Sequence, residues 1–152
     1  MKERELLDNQ IQLNAKYKAI DDLYHAVSVK YHMSDSALWI FYTLRIVGKP
    51  ITQSELCNYL SQSKQTINSS LKKLMDEEYL TFQMLPHNKK NKFIVFTEKG
   101  KQIVKNEIDP IIRAESNVLN RLGDERRKLL LDIYDEYFVL LKEELEWMDK
   151  NG

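Results

Sequence analysis

Cysteine, glycine and proline are scarce in this 152-residue chain, and each shortage narrows what it can be. Its one cysteine, Cys57, cannot close an internal disulfide or build a thiolate metal site, so a reducing compartment fits. Its four glycines have no phosphate-cradling spacing. With no HExxH pattern and no nucleophile beside an identifiable base, a catalytic role is not expected, and neither is a cofactor. No apolar run approaches the roughly 20 residues that span a bilayer. The opening MKERELLDNQ is too charged for a secretion signal, so the cytosol is the expected compartment and no membrane contact is expected.

Excess charge is also lacking, since 23 basic and 23 acidic side chains cancel. Phosphate binding usually draws on surplus Lys and Arg, which at first argues against nucleic acid as a partner. The distribution changes that view. Residues 1 to 51 balance at +1, residues 52 to 101 at +3 and residues 102 to 152 at −4, leaving a basic middle between near-neutral and acidic ends.

What is present is helical periodicity. Residues 5 to 32 place Leu6, Leu7, Ile11, Leu13, Tyr17, Ile20, Leu23, Tyr24 and Val27 along one long amphipathic helix. Ser34 caps a second, DSALWIFYTLRIV, which Gly48 and Pro50 end. Thr52 and Glu55 form a capping box for the short QSELCNYL, with Ile51 and Leu56 as its hydrophobic staple. After the polar break Ser61 and Gln62, Ser63 caps a helix to about Glu77, and two short helices joined so tightly read as a helix-turn-helix. YLTFQM and KFIVFT then flank LPHNKKN, a hairpin whose tip carries Lys89, Lys90 and Lys92. Thr97 caps a further helix to Leu122, in which Pro110 is expected to bend the axis. Gly123 separates it from a last helix with two apolar stripes, Leu130, Ile133, Tyr137 and Leu140 on one side, Tyr134, Phe138, Leu141, Leu145 and Met148 on the other. Two stripes need two partners, and a second copy of the chain supplies one.

The helix from Ser63 has an unusual surface. Ile67, Leu71 and Leu74 point one way, and Gln65, Ser69, Lys72 and Lys73 lie opposite, with Thr66 and Asn68 on the flanks. A merely solvated face would more often carry Glu, Lys and Ala, which favour helix. Base edges in a major groove call for short or amide-bearing hydrogen bonders at the start of a helix and lysines a turn or two later. The hairpin tip, His87, Asn88, Lys89, Lys90 and Lys92, suits a wing against the sugar-phosphate backbone, its plain alternative being a solvated turn.

TQSELCNYLSQSKQTINSSLKKLMDEEYL, the basic hairpin, FTEKG and two long closing helices, in that order, resemble the MarR family of dimeric winged-helix transcription regulators. The resemblance implies a mainly α fold with a small β-hairpin, a winged helix-turn-helix DNA-binding domain at 34–100, and a helical dimerisation region at 1–33 and 101–152. It implies that Ser63 to Lys73 read the major groove, that Pro86 to Lys92 form the wing, and that Thr52, Ser61, Ser63 and Lys64 join the DNA-facing set. The implied partners are double-stranded DNA, at an inverted repeat and most often as a repressor, a second copy of the chain, and a small-molecule effector. Tyr24, Tyr31, Trp39 and Tyr42 lie where relatives place an aromatic effector pocket, ordinary core aromatics being the alternative.

Three positions depart from the family pattern. Asn88 replaces an acidic residue that locks the wing tip to arginines. Glu78 replaces a glycine before the first wing strand, so the turn there is expected to take another shape than one at positive φ. Ser69 stands where an arginine is common. Two rival sensors are weaker. Cys57, between Leu56 and Leu60, is expected to pack in the core rather than to sense oxidants. His25 and His32, with Asp21 and Asp22 nearby, have metal-ligand spacing but read as surface residues. Ligand sensing, metal sensing or protein contact by a winged-helix module without DNA binding is the alternative function.

Overall fold

Local stop signals set the first boundaries. The computed structural model describes all 152 residues, Met1–Gly152. Helix α1 covers Lys2–Lys30 and α2 Asp35–Val47. At the end of α1 the N–H of Met33 donates to the Ser28 carbonyl at 3.0 Å and that of His32 to Val29 at 3.1 Å, with His32 itself at φ 56°. This six-to-one and five-to-two pair of bonds is the Schellman stop. The helix therefore ends before the expected residue 32. Ser34 caps α2 by accepting the Ala37 N–H at 3.1 Å, and Gly48, left-handed at φ 71°, ends it.

The capping box before α3 (Gln53–Tyr59) is complete, because the Glu55 carboxylate accepts the Thr52 N–H at 2.7 Å and the Thr52 hydroxyl accepts the Glu55 N–H at 3.2 Å. Ser63 caps α4 (Lys64–Asp76) by accepting the Thr66 N–H at 3.2 Å. Strands β1 (Leu80–Leu85) and β2 (Asn88–Phe96) pair antiparallel, Leu80 with Phe96 through Gln83 with Phe93. Ile51 joins them, its carbonyl accepting the Ile94 N–H at 2.8 Å.

The hairpin is tighter than the sequence suggests. Only Pro86 and His87 turn, and Leu85 already pairs with Asn88. Lys89 to Lys92 then lie opposite Met84 alone, so β2 bulges and gathers its lysines at the tip.

Thr97 caps α5 (Glu98–Ile103), which runs into one π-helical turn, Val104–Ile108, and then α6 (Asp109–Asn151). Pro110, which has no N–H to donate to the preceding turn, follows this π turn in one continuous helical run. Gly123, at φ 78° and ψ 166°, breaks α6 as expected.

Two compact units result, Met1–Asp109 and Pro110–Gly152. The core of the first is built from Leu38, Ile40 and Phe41 of α2, Ile51, Leu56 of α3, Ile67 and Leu71 of α4, Leu80 and Ile94 of the hairpin, and Ile108, none more than 2% exposed. Burial at roughly 1.5 to 3 kcal/mol for each large side chain is what holds α4 to its neighbours. The long helices differ. Ser28 is the one buried residue of α1, and Ile111 that of α6, while their leucines and aromatics face outward. No helix is long and apolar enough to cross a membrane.

Candidate nucleic-acid interface

Ile67, Leu71 and Leu74 hold α4 down, and the rest of the helix follows from that anchoring. Lys64, Gln65, Thr66, Ser69, Lys72 and Lys73 are exposed, as is the capping Ser63. The Ser63 and Thr66 hydroxyls share a hydrogen bond at 2.8 Å, which presets both at the start of the helix. Lys72 pairs with Asp76 at 3.0 Å and Lys73 with Glu77 at 3.9 Å. Both pairs are solvated i,i+4 contacts, which hold weakly and can be exchanged for another anion.

Asn68, expected on a flank of the reading face, packs toward the neighbouring helix. It is half-buried, and its carboxamide oxygen accepts from Gln53 Nε2 at 2.6 Å, with Cys57 Sγ at 3.9 Å. Lying one residue past Ile67, it rotates toward α3 and ties the two helices together. Thr52 is likewise half-buried, its hydroxyl occupied by the capping box. Ser61 is exposed in the turn between the helices, next to Gln62, whose Oε1 is sealed without a partner. Cys57 is half-buried rather than fully in the core.

In the wing, the Asn88 side-chain oxygen accepts the N–H groups of Lys90 and Asn91, each at 3.2 Å. An amide thus locks the tip through the backbone and leaves the lysines unspent. Lys92 lies over the Phe82 ring at 5.9 Å, whereas Lys89 and Lys90 are exposed and have no carboxylate partner. His87 is exposed at the turn.

The far end of α4 is fixed by FTEKG. Glu78 adopts φ 63°, contrary to the expectation that this turn would avoid positive φ, because α4 ends in a second Schellman stop with Tyr79 N–H on the Leu74 carbonyl at 3.0 Å. The Thr97 hydroxyl donates to the carbonyls of Glu78 at 2.5 Å and Tyr79 at 3.1 Å, and Lys99 Nζ donates to that of Glu77 at 2.7 Å while sitting 4.2 Å from the Tyr79 ring centroid. Gly100 is required by space, since a Cβ there would lie 2.1 Å from the Tyr79 oxygen. These contacts between distant segments have no local sequence signal beyond the FTEKG string itself.

The four aromatics do not form one group. Tyr24 tilts against Trp39 at 4.8 Å between ring centroids, and Trp39 meets Tyr42 edge-on at 5.3 Å. Tyr31 is separate, because the early stop of α1 turns it into a cleft of about 300 Å³ behind α4. The two histidines also diverge. His25 Nδ1 lies 3.0 Å from both oxygens of Asp35, a hydrogen bond that holds the Asp35 carboxyl below its usual range against the opposing effect of burial, while His32 is off the helix face altogether. Asp22 is engaged by Lys18 at 2.6 Å.

Comparison with known proteins fits this geometry. Residues 33–90 match the MarR family model. Among solved structures, NMB1585, a MarR family regulator from Neisseria meningitidis, superposes with a TM-score of 0.73 at 19% identity, over 89% of this chain and 94% of its own. The transcription regulator MarR from Oenococcus oeni PSU-1 gives 0.67 at 16% identity, over 83% and 95%. A mutant of S. aureus MepR bound to oligodeoxyribonucleotide gives 0.52 at 12% identity, over 87% and 96%. Curated protein sequences return no match. Helix-turn-helix, wing and family match coincide on one stretch, and the chain has a winged helix-turn-helix fold whose residues 33–90 match the MarR family model.

Proposed function

We propose that this protein is a transcription regulator that binds double-stranded DNA as a homodimer at an inverted repeat and acts as a repressor. The observation that carries the proposal is the outer face of α4, where Ser63, Lys64, Gln65, Thr66 and Ser69 stand exposed beside the unpaired Lys89 and Lys90 of the wing. Gln65 and Ser69 have the donors and acceptors that distinguish base edges, and Gln pairs bidentately with adenine. Lys72 and Lys73 give up weak surface carboxylate pairs for phosphates, and the wing lysines supply charge without bidentate recognition. The MepR complex with oligodeoxyribonucleotide supports DNA as the ligand class.

The exposed apolar faces of α1 and α6 supply the dimer surface. Two-fold symmetry then sets the reading helices roughly 34 to 36 Å apart, one helical turn of DNA. An effector, for which the Tyr24, Trp39 and Tyr42 cluster is the proposed aromatic contact, lowers DNA affinity only by binding the DNA-incompetent spacing better.

Two single substitutions test the assignment on the DNA upstream of the protein's own gene. Gln65→Ala should cost about 1 to 3 kcal/mol on the preferred sequence and little on others, while Lys90→Ala should weaken all sequences alike and lower the slope of log affinity against log salt by about one. Normal binding by both variants would reject this reading surface. Binding that is absent, or indifferent to salt, would leave a winged-helix module for protein contact or sensing instead.

A further inference from the structure

Two kinds of contact hold α4 in place. Ile67, Leu71 and Leu74 are buried beneath it, but apolar burial is non-directional and fixes the depth of a helix more firmly than its rotation about its own axis. Directional contacts stand on either flank of that buried line. On one flank, Gln53 Nε2 of α3 donates to the Asn68 carboxamide oxygen at 2.6 Å, and the Cys57 thiol converges on the same oxygen at 3.9 Å. On the other, the Ser70 hydroxyl is hydrogen-bonded to that of Ser36 in α2, whose oxygen lies 3.2 Å from that of Ser34. Ser36 is buried, at 7% exposed. Asn68 comes one residue after Ile67 and Ser70 one before Leu71, so at about 100° per residue the two project to opposite sides of the line.

Rotation matters because base reading is exacting. Side-chain tips lie roughly 5 to 6 Å from a helix axis, so a roll of about 10° carries them about 1 Å. A recognition site has to be held to about 0.5 Å. After such a roll Gln65 and Ser69, exposed on the outer face, address a different base edge or none. Lys72 and Lys73 still reach phosphates, because each is a point charge on a flexible stem. Satisfied polar contacts of the kind made by Asn68 and Ser70 select one arrangement among the several an apolar line accepts.

We propose that Gln53 and Ser36 are specificity-determining positioning residues: through Asn68 and Ser70 they fix the roll of α4, and with it the bases that Gln65 and Ser69 address. The inference rests on the DNA-binding reading and deepens it, since it places part of the sequence preference in two side chains on other helices. Neither tie carries charge, so affinity for DNA of any sequence is set elsewhere.

Duplexes selected by the full chain from a random pool supply a preferred sequence, and affinity for it is compared with that for a scrambled duplex over a series of salt concentrations. Gln53→Ala, Ser36→Ala and Ser70→Ala should each lower the preferred-to-scrambled ratio at least about tenfold, with scrambled-duplex affinity within about twofold of the parent and its salt slope unchanged. Asn68→Ala, and Gln53→Ala combined with Asn68→Ala, should lose no more than Gln53→Ala alone, because all three remove one tie. Ser70→Thr keeps the hydroxyl, and its added methyl group has room in the cleft behind α4, so the ratio should stay within about threefold. Ile40→Val weakens the same core without touching either tie and should leave the ratio unchanged. An unchanged ratio in Gln53→Ala or Ser36→Ala, a loss in Asn68→Ala that Gln53→Ala does not share, or a matching loss in Ile40→Val would each overturn the inference while DNA binding by the parent chain stands. A parent chain that binds no duplex, or prefers no sequence, rejects the regulator reading itself and this inference with it.

Discussion

The segment between Ser36 and Ile108 holds nearly all the buried apolar side chains, whereas the helices at either end leave most of theirs exposed. Phe41 is 2% exposed in the first region, and Phe138 is 65% exposed in the second, although both lie on amphipathic helices. Periodicity reveals that a helix has an apolar face, but the neighbour that covers it is a separate fact. In the winged-helix segment the neighbour is the same chain. On α1 and α6 the faces of Ile11, Ile20, Leu23, Phe138, Leu140 and Leu145 stay open in a single copy, which is the physical ground for proposing a homodimer.

Substitutions made in one region at a time should separate the two roles. Leu71→Ala opens a cavity under the reading helix and is expected to destabilise the fold by about 2 to 5 kcal/mol in urea unfolding, with DNA binding lost through misplacement of α4. A cost below about 1 kcal/mol would show that this core does not hold the helix. Phe138→Lys combined with Leu141→Lys leaves the winged-helix core untouched and should weaken self-association at least a hundredfold, about 2.7 kcal/mol, in sedimentation equilibrium. If the parent chain is monomeric at tens of micromolar, or if the double variant keeps the parent's mass, the exposed faces of α6 do not form the interface.

The same contrast explains how much of the molecule could be read beforehand. The caps at Ser34, Ser63 and Thr97, the Thr52 and Glu55 box, and the break at Gly123 were legible because each is decided within about four residues. The inward set Ile67, Leu71 and Leu74 was legible from one helical period. The tie between Asn68 and Gln53 is not legible, because the two lie on different helices and no wheel shows which flank a neighbour covers. The turn that carries Tyr31 and His32 is not legible, because nothing in the local residue types marks the stop at Lys30, where a non-glycine residue takes the left-handed position. The wing turn is shorter than its residue types suggest, because the bulge at Lys89 to Lys92 depends on cross-strand register, which Asn88 fixes through the backbone.

The smallest expected effect concerns the boundary between reading helix and wing, where the fold overrides a local preference. Glu78 sits at φ 63°, a region that costs a residue with a Cβ roughly 1 to 2 kcal/mol. It is kept there by the Schellman bonds of α4 and by Thr97 and Lys99, which bind the carbonyls of Glu77, Glu78 and Tyr79 and would outlast any change of side chain. Glu78→Gly should therefore raise stability by about 0.5 to 1 kcal/mol, the relief of strain being partly offset by the greater freedom glycine gives the unfolded chain. DNA affinity should be unchanged, since the backbone geometry that places α4 is the same. Glu78→Ala separates strain from charge, because it keeps the Cβ and removes the carboxylate. If alanine stabilises as much as glycine, the cost at this position comes from the acidic group beside Glu77 and Asp76, and the turn itself is unstrained.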